Sequence, residues 1–465
     1  MGAIGVSQLG NLLTELRLTA AETGGEIRLR GEEPPNVSPH RLGTIGAVAM
    51  AAQGAGIAAV WKLRTGRGQD VRVDIPRAIQ ALHSMAYTRL NGSADILNVG
   101  NHSALHTFNR TKDNRWIFIS SYHHQLPPAL AVVGCPNEQD AIERKIATWN
   151  SFELEEALAA RKLPGVVARS REEWLAHPQG QWLAQRPVIE IEKIGDSPVE
   201  PLGPAARPLS GLRVLDMAHV LGGPTVSRTL AEQGADVLSL SDPKQQDPPV
   251  VMMETGMGKR AAHIDLNDAA QVARVKELAR DADMLVQSWR PGGFDRRGLS
   301  PRDLAAIRPG IIYVSVSCYG SGGPWMTRGG YDPLGQAASG LSMVEGSVDR
   351  PLIPRTQTVN DYMAAYLGAA GALSALVRRA KEGGSYHVKV SLTRCSMWAL
   401  GFGTQAGYVD SGDRTFVDPV PPVTHTVQSD YGEVTVLAPV TDYSETKAYW
   451  ELPVRKPNQQ ELRWR

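Results

Sequence analysis

Cysteine is scarce in this sequence, with 3 cysteines among 465 residues. Cys135, Cys318 and Cys395 stand far apart, and none of them belongs to a Cys-x-x-Cys pair. This spacing excludes a disulfide-stapled scaffold and a zinc ribbon. It is typical of reduced thiols in an intracellular protein.

The sequence also lacks an excess of either charge, because 49 lysines and arginines balance 48 aspartates and glutamates for a net charge of +1. A dedicated nucleic-acid-binding protein carries a basic field, so we expect no nucleic-acid partner. We find no run of about 18 apolar residues and no signal-peptide pattern at the start, MGAIGVSQLG. These absences predict a soluble cytoplasmic protein with no membrane partner.

Hydrophobic residues and glycine are abundant, which predicts a large buried core. The hydrophobic share is 42%, and 46 residues are glycine. At roughly 150 residues per domain, the length indicates two or three domains. A stretch rich in proline and glycine at residues 194–211 is predicted to be a linker.

After the linker, short apolar runs alternate with helical patterns over residues 209–345. The runs LRVLDMAHV, ADVLSLS, AAHIDL, DMLVQSW and IIYVSVSCYG predict strands, and the segments between them have helical periodicity. Strands that alternate with helices in this way form a parallel sheet covered on both faces. We therefore predict an α/β fold with an open parallel sheet.

An internal repeat relates the two ends of the chain. The segments GQDVRVDIPRA (68–78) and SYHVKVSLTRC (385–395) align at an offset of 317 (388 − 71), which also pairs Gly54 with Gly371. Each copy is predicted to be an Ala/Gly-rich helix, a strand and a second helix. After the first copy, HTFNRTKDNRWIFIS predicts a hairpin turning at residues 112–114, within a smaller α+β domain.

The segment VLDMAHVLGGPTVSRTLAEQGADVLSLSD suggests a dinucleotide site, because Asp242 follows its second strand. The Gly-x-Gly-x-x-Gly pattern is missing, so only a helix start suited to a phosphate or other polar ligand remains. Two basic segments, TGMGKR (255–260) and SWRPGGFDRRG (288–298), lie beside later strands. Their side chains either lie in solvated loops or converge on one ligand with phosphates and an aromatic base: Lys259, Arg260, Arg290 and Arg296, with Trp289 stacked on the base.

Histidine pairs are the candidate metal ligands. His102 and His106 are four residues apart, and His123 adjoins His124. Neither pair has the cysteine or carboxylate that would complete a ligand set. We therefore predict loop or pocket histidines and no metal.

Six segments, in order and spacing, resemble the class III CoA-transferases of the CaiB/BaiF family: PLSGLRVLDMAHVLGGP, GADVLSL, GKRAAHIDL, MLVQSWRPGGFDRRGL, IIYVSVSCYGSGGPW and RGGYDPLGQAASGLSMVEG. The likeness is strongest over residues 209–408, and residues 100–205 are similar to the later part of the family. The family's halves therefore stand in permuted order, with a partly duplicated segment. The resemblance implies three parts: a helical and α+β part with the degenerate repeat copy (1–205), a Rossmann-like CoA-binding domain (206–345), and a catalytic helix with the second repeat copy and a return segment (346–465).

The resemblance also implies a nucleophile, because the family's catalytic aspartate lies 25 residues beyond the glutamine of its Tyr-Asp-x-x-x-Gln segment. Here that register leads from Gln336 to Asp361 (336 + 25). From the residues alone, Asp361 is typical of the N-cap of an Ala-rich helix, where the helix dipole keeps a carboxylate ionised. The two roles are compatible, since an ionised carboxylate attacks without a general base.

The resemblance implies an enzyme that moves CoA from an acyl-CoA donor to a carboxylic acid through aspartyl anhydride and aspartyl-CoA thioester intermediates. CoA is then a substrate, no permanently bound cofactor is expected, and a homodimer, possibly interlocked, is implied. The glycines of residues 320–330 are candidates for oxyanion donors or a lid, or form a plain surface loop. The implied catalytic residues are Asp361, Tyr331 and Asp332, and the implied CoA-binding residues are His219, Val220, Leu221, Gly222, Gly258, Lys259, Arg260, Ser288, Trp289, Arg296 and Arg328.

Three departures from the family pattern keep alternatives open. The repeat places Thr44 opposite Asp361 (361 − 317), so we expect one active site per chain. Tyr331 stands where the family's racemases carry a histidine, and Asp242 stands where a basic residue is common. The alternatives are an acyl-CoA racemase or lyase with Asp361 as base, and a non-catalytic CoA-binding partner subunit.

Overall fold

The computed structural model describes residues 3–35, 37–98, 103–244, 247–458 and 461–465. Over these ranges, helices surround one large sheet and three smaller ones. In chain order the helices are α1 (Ala3–Leu16), α2 (Ala20–Thr23), α3 (Leu42–Thr65), α4 (Ile75–Ala81), α5 (Leu126–Val133), α6 (Gln139–Ile146), α7 (Ser151–Ala160), α8 (Arg171–Ala176), α9 (Pro178–Ala184), α10 (Gly222–Ala231), α11 (Pro249–Thr255), α12 (Ala269–Ala279), α13 (Pro301–Ile307), α14 (Asp332–Ser339), α15 (Leu341–Glu345), α16 (Val359–Glu382) and α17 (Leu392–Leu400).

The strands fall into four sheets, each with strands from distant parts of the chain or from a hairpin. In chain order they are β1 (Ile27–Arg30), β2 (Val71–Asp74), β3 (Arg89–Leu90), β4 (Phe108–Arg110), β5 (Trp116–Ile119), β6 (Gly165–Val167), β7 (Ile189–Gly195), β8 (Arg213–Met217), β9 (Asp236–Ser241), β10 (Lys259–His263), β11 (Met284–Gln287), β12 (Ile312–Ser317), β13 (Ser385–Ser391), β14 (Thr424–Ser429), β15 (Gly432–Leu437) and β16 (Thr441–Tyr443).

The large sheet has the strand order β10-β9-β8-β11-β12-β13-β7. Its strands are parallel except β7, which pairs antiparallel to β13 at the edge. The predicted α/β fold with an open parallel sheet is therefore confirmed. Strands β13 and β7 come from outside residues 206–345, so both ends of the chain contribute to this sheet.

The strand order reverses between β8 and β11, because the chain runs from β8 to β9 on one side and later returns as β11 on the other. A crevice opens at such a switch point beyond the carboxyl ends of the strands. The loops that leave β8 and β11 after Met217 and Gln287 therefore meet at one place. This crevice positions the candidate site described below.

The internal repeat is present in the fold. Helices α3 and α16 each have 24 residues, and their starts differ by the predicted offset of 317 (359 − 42). The two helices pack closely, since a Cβ added to Gly56 in α3 would lie 2.6 Å from the Cβ of Leu373 in α16. The small glycine therefore allows the two copies to share one core.

One expectation about hydrophobic runs is wrong. Helix α3 contains an 18-residue window of mean hydropathy 1.5 and is long enough to cross a bilayer, although the sequence was expected to hold no such run. The interspersed glycines and Gln53 hide this run from inspection. Every residue of that window is buried inside the fold, as in the core helix of a globular protein.

The predicted linker and hairpin are both observed. Residues 196–205 between β7 and β8 form neither helix nor strand. Strands β4 and β5 pair antiparallel around a turn in which Asn114 adopts a φ of 60°. With β6 and helices α5–α9 they form a smaller α+β unit, which lies before the linker.

Candidate active site

Asp361 lies in the first turn of α16, as the third residue of the helix. The predicted N-cap role is wrong, because the helix begins at Val359 and Thr358 occupies the cap without a side-chain hydrogen bond. The side chain of Asp361 is 9% exposed, so it reaches the edge of the core rather than open solvent.

Asp332, the first residue of α14, is bound directly to the start of α16. Its Oδ2 accepts the backbone N–H of Asp361 at 2.7 Å, and its carboxylate also accepts a side-chain N–H of Gln336. Asn360 donates its side-chain N–H to the Asp332 carbonyl at 3.2 Å and accepts the Ser396 hydroxyl at 2.7 Å. These contacts fix two carboxyl groups side by side.

The two carboxyls perturb one another. Burial, and then the neighbouring Asp332, raise the pKa of Asp361 well above its usual value. Burial raises the pKa of Asp332 to about 7, against the opposing effect of its hydrogen bonds from Gln336, Asp361 and Asn360. Desolvation and the like charge of Asp332 therefore oppose the ionisation of Asp361 that the helix dipole was expected to favour.

The loop between β8 and α10 approaches Asp361 most closely. The backbone of Gly222 forms a hydrogen bond with the Asp361 carboxyl, and a Cβ added to Gly222 would lie 2.8 Å from Asp361 Oδ1. Only glycine allows this approach. In the same loop, Val220 has a φ of 64°, a conformation that β-branched residues rarely adopt. Its N–H donates to Asp247 Oδ2 at 2.7 Å, which holds the strained turn.

The loop after β11 braces the loop after β8. Ser288 Oγ accepts the backbone N–H of His219 at 2.9 Å and donates to the His219 carbonyl at 3.0 Å. Trp289 donates its ring N–H to the Met217 carbonyl at 2.9 Å and lies edge-on to His219. Six of the predicted CoA-binding residues are thus brought together at the switch point beside Asp361: His219, Val220, Leu221, Gly222, Ser288 and Trp289.

Gly258, Lys259 and Arg260 stand at the start of β10, two strands away from β8. Strand β10 begins at Lys259, which pairs with Val237 near the amino end of the sheet. The buried Lys259 ammonium is 2.6 Å from Asp216 Oδ2 and donates to the Pro224 carbonyl. Arg260 binds both carboxylate oxygens of Asp236 at 2.9 and 3.1 Å. Carboxylates within the fold thus pair with Lys259 and Arg260, and the convergence of these two cations with Arg290 and Arg296 on one ligand stays a prediction.

The remaining predicted cations, Arg290, Arg296 and Arg328, differ in whether other parts of the fold already bind them. Arg296 is exposed, and the described part of the chain gives it no ion pair. Arg328 is held by Glu156 Oε1 at 2.5 Å and lies over the Trp325 ring. Arg290 donates to the Lys162 carbonyl at 3.0 Å. Two of these three arginines are therefore tied to the α+β unit that precedes the linker.

That α+β unit also supplies site residues which the sequence interpretation missed. Gln125 Oε1 accepts the hydroxyl hydrogen bond of Tyr331 at 3.2 Å. The Tyr122 ring packs edge-on against Tyr331 at a centroid distance of 4.9 Å. One weak signal was present in the sequence, since Tyr122 and Gln125 lie within six residues of the end of strand β5 of the predicted hairpin.

The glycine-rich stretch after β12 packs against α9. Gln179 donates its side-chain N–H to the carbonyls of Tyr319 and Gly322, at 2.7 and 2.9 Å. A Cβ on Gly320 or Gly322 would collide with the Trp182 ring. Gly222, outside this stretch, is the residue whose backbone binds the Asp361 carboxyl.

The candidate metal ligands are only partly described. His102 lies outside the described residues, and so does the side chain of His123, so the prediction about these pairs stays a prediction. His106 is bonded to Ser120 Oγ at 3.2 Å, and burial lowers its pKa to about 4. Within the described ranges, no group of three or more His, Cys, Asp or Glu residues is arranged to hold a metal ion.

The two halves of the chain each match one family. The profile of CoA-transferase family III aligns with residues 17–199 and again with residues 209–418. Together these segments span most of the sequence, and the chain belongs to CoA-transferase family III. The predicted resemblance is confirmed.

Curated relatives are similar over part of their length. The acetyl-coenzyme A transferase nodX of Hypoxylon pulicicidum is 30% identical over 319 residues, which cover 63% of this chain and 53% of that protein. The succinyl-CoA--L-malate CoA-transferase alpha subunit of Chloroflexus aurantiacus is 33% identical over 199 residues, 40% of this chain and 46% of the relative. The chain thus spans about half the length of the curated relatives it matches.

Solved structures are also similar to part of this chain. A CAIB/BAIF family protein from Brucella suis is 28% identical, with a TM-score of 0.40 over 49% of this chain and 65% of that chain. Rv3272 from Mycobacterium tuberculosis is 25% identical, with a TM-score of 0.40 over 42% of this chain and 58% of that one.

Proposed function

We propose that this protein is a CoA-transferase that moves CoA from an acyl-CoA donor to a carboxylic acid acceptor, with Asp361 as nucleophile. The observation that carries the proposal is the carboxyl of Asp361 at the switch-point crevice, bonded to the Gly222 backbone and paired with Asp332. Membership of CoA-transferase family III supports it.

In the first half-reaction, the Asp361 carboxylate attacks the thioester carbonyl of the donor. The C–S bond breaks, CoA leaves as thiolate, and an acyl-aspartyl anhydride forms. The thiolate then attacks the Asp361 carbonyl of the anhydride. This step releases the donor's carboxylate and leaves an aspartyl-CoA thioester.

The second half-reaction reverses these steps with a new acid. The acceptor carboxylate attacks the aspartyl-CoA thioester and expels CoA thiolate, which then attacks the acceptor's carbonyl in the second anhydride. Acyl-CoA of the acceptor leaves, and the Asp361 carboxylate is regenerated. Each bond broken is replaced by one of similar energy, so no ATP is required.

The carboxyl pair sets the charge of the site. Because the pKa of both groups is raised, the pair holds a proton near neutral pH. The three hydrogen bonds that Asp332 accepts favour its ionised form, whereas Asp361 accepts one. Asp361 acts as a nucleophile only in its ionised form, so its raised pKa makes the reaction dependent on pH.

CoA is expected along the two braced loops. His219, Val220 and Leu221 line the approach to Asp361 with Ser288 and Trp289, and the exposed Arg296 is free to bind a phosphate. Lys259 and Arg260 have internal partners and are not needed for this path. Tyr122 and Tyr331 then border the acyl group, and the acceptor acid follows the same route.

Trapping the intermediate tests the proposal. The protein is incubated with a panel of acyl-CoA donors, treated with hydroxylamine or borohydride, and analysed by peptide mass spectrometry. We expect modification of Asp361, none in Asp361→Asn, and normal labelling in the matched variant Asp242→Asn, whose carboxylate accepts the backbone N–H of Lys244. Unmodified Asp361 across the panel would contradict a transferase.

The alternatives give different results in the same preparation. Exchange of deuterium at the acyl α-carbon without CoA transfer indicates a racemase or lyase. CoA binding without either reaction indicates a partner subunit. We place the reaction in the cytoplasm, since Cys135, Cys318 and Cys395 are all free thiols.

A further inference from the structure

The small sheet β1-β2-β16 has the same register as the last three strands of the large sheet. Strand β1 runs parallel to β2 with Ile27 opposite Val71, and β12 runs parallel to β13 with Val314 opposite Val388. Since Val71 and Val388 differ by 317, the two pairs are equivalent. The repeat thus includes a strand that the sequence alignment did not reveal.

The antiparallel edge strands are equivalent as well. Thr441 of β16 lies opposite Val73, and Ile189 of β7 lies opposite Val390, the residue 317 positions after Val73. The glycine contacts agree with this pairing. A Cβ on Gly54 would lie 2.4 Å from Val71 Cγ1, and one on Gly371 would lie 2.6 Å from Val388 Cγ1.

These edge strands are exchanged between the halves. Strand β7, from before the linker, completes the sheet that carries β13, whereas β16, from after the linker, completes the sheet that carries β2. Each half therefore gives its last strand to the other half. The hairpins that precede these strands are also related, since HTFNRTKDNRW begins at His106 and HTVQSDYGEV begins at His425.

A counterpart of the candidate active site lies at the start of α3. Glu33 accepts the backbone N–H groups of Gly43 and Thr44, both at 2.7 Å. Asp332 accepts the backbone N–H groups of Asn360 and Asp361, which lie 317 residues further on. Glu33 is therefore the structural counterpart of Asp332, although the offset of 317 does not align them.

The second member of the pair has been lost in this counterpart. Thr44 replaces Asp361, and its hydroxyl donates to Glu33 at 2.6 Å. Gly5 of α1 approaches Thr44 as Gly222 of α10 approaches Asp361, with added Cβ atoms at 2.9 and 2.8 Å from the respective side chains. A site with the same scaffold thus lacks a carboxyl at the nucleophile position.

We propose that this single chain contains both protomers of a strand-exchanged dimer, in which one catalytic site is kept and its two-fold counterpart at Glu33 and Thr44 is silenced. The halves have diverged in a complementary way. The first half holds the α+β unit that supplies Tyr122 and Gln125, and the second half holds the parallel sheet and Asp361. The kept site is complete within one chain and needs no second copy.

Cutting the linker tests the exchange without any measurement of activity. A protease recognition site is inserted between Pro204 and Ala205, in the segment without helix or strand, and the purified protein is cleaved. We expect the two fragments to co-elute at the mass of one uncut chain and to separate only in denaturant, because each is held by a strand of the other. Separation in native buffer would overturn the proposal.

A binding measurement tests the silencing. Titration calorimetry with CoA is expected to show one binding site per chain, both in the wild type and in Glu33→Gln. Two binding sites per chain would overturn the proposal that the counterpart site is silenced. If CoA does not bind at all, the proposed function fails, whereas the cleavage experiment still decides whether the strands are exchanged. The size of the uncut protein in solution is expected to be that of one chain, and a dimer that dissociates into inactive chains would also overturn the proposal.

Discussion

The backbone N–H of Asp361 donates to the carboxylate of Asp332 at 2.7 Å. The group that positions the candidate nucleophile is therefore also a group that raises its pKa. The start of a helix, which ordinarily favours a carboxylate, here holds two of them with little solvent. The consequences of this pairing for pH dependence and stability can be measured.

Replacing Asp332 with asparagine is expected to shift the acid limb of the pH profile of kcat/KM to lower pH. The change removes the like charge that raises the pKa of Asp361, while an amide oxygen still accepts the Asp361 N–H. Rates measured from pH 5 to pH 9 check this. Asp242→Asn is the matched control and should leave the profile in place, and an unmoved limb in Asp332→Asn would show that the pair is not coupled.

Replacing Asp361 with asparagine is expected to abolish transfer and to stabilise the fold at alkaline pH. Because burial raises the pKa of Asp361 in the folded state, the folded protein retains a proton that the unfolded chain has lost above about pH 4, and stability falls as pH rises from there. The neutral amide avoids this loss. Denaturant unfolding should show a gain of roughly 1–3 kcal/mol at pH 8 and almost none near pH 4. A gain that is constant with pH would contradict the electrostatic cause.

Substituting Val220 with glycine is expected to cost less than about 1 kcal/mol of stability, because the relief of a left-handed conformation offsets the lost side-chain contacts. The comparison is Val226→Gly in the buried interior of α10, which should cost about 3 kcal/mol or more. The flexible loop in Val220→Gly should raise KM for acyl-CoA. Equal losses of stability in the two variants would show that Val220 stores no strain.

Substitution of Lys259 is expected to lower stability, whereas substitution of Arg296 is expected to weaken the binding of acyl-CoA. Lys259→Met leaves Asp216 buried without its partner and should destabilise the protein by about 3–5 kcal/mol. Arg296→Ala should leave unfolding within about 0.5 kcal/mol of wild type and raise KM for acyl-CoA about five- to tenfold. A substrate truncated to the acyl-pantetheine should be unaffected by Arg296→Ala. If Arg296→Ala raised the KM for that truncated substrate equally, the result would show that Arg296 does not bind a phosphate of CoA.

Gln125 links the two halves of the chain at the site, so its loss is expected to affect catalysis more than folding. Gln125→Leu removes the acceptor of the Tyr331 hydroxyl and should lower kcat/KM about tenfold, the equivalent of one hydrogen bond. Gln125→Glu keeps an acceptor and should retain most of the activity. Unchanged kinetics in Gln125→Leu, measured with the same donor and acceptor, would show that Tyr331 does not depend on it.

Regular periodicity made most of the large sheet predictable. The apolar runs from β8 to β12 each gave a strand, and the starts of α3 and α16 differ by the predicted offset of 317. The edge strand β16 of the sheet β1-β2-β16 was not predictable, because it has only three residues and no hydrophobic pattern of its own. Its place is decided by pairing with β2, a tertiary contact.

The site was predictable where it follows strand ends and not where it depends on burial. His219 to Gly222, Ser288 and Trp289, which the resemblance implied, follow two neighbouring strands whose carboxyl ends meet at one crevice. The ion pair of Lys259 was not predictable, because nothing in its local sequence reveals the buried Asp216. The raised pKa of Asp361 was not predictable for the same reason, since desolvation is a property of the folded surroundings.

The pairing of Thr441 with Val73 spans 368 residues (441 − 73). During synthesis, β2 leaves the ribosome long before its edge partner exists, and β7 emerges before the sheet that it will join. Contacts of such sequence separation slow folding and leave strand edges open to other molecules. The first half of the chain therefore carries an unpaired edge at β2 until β16 has been made.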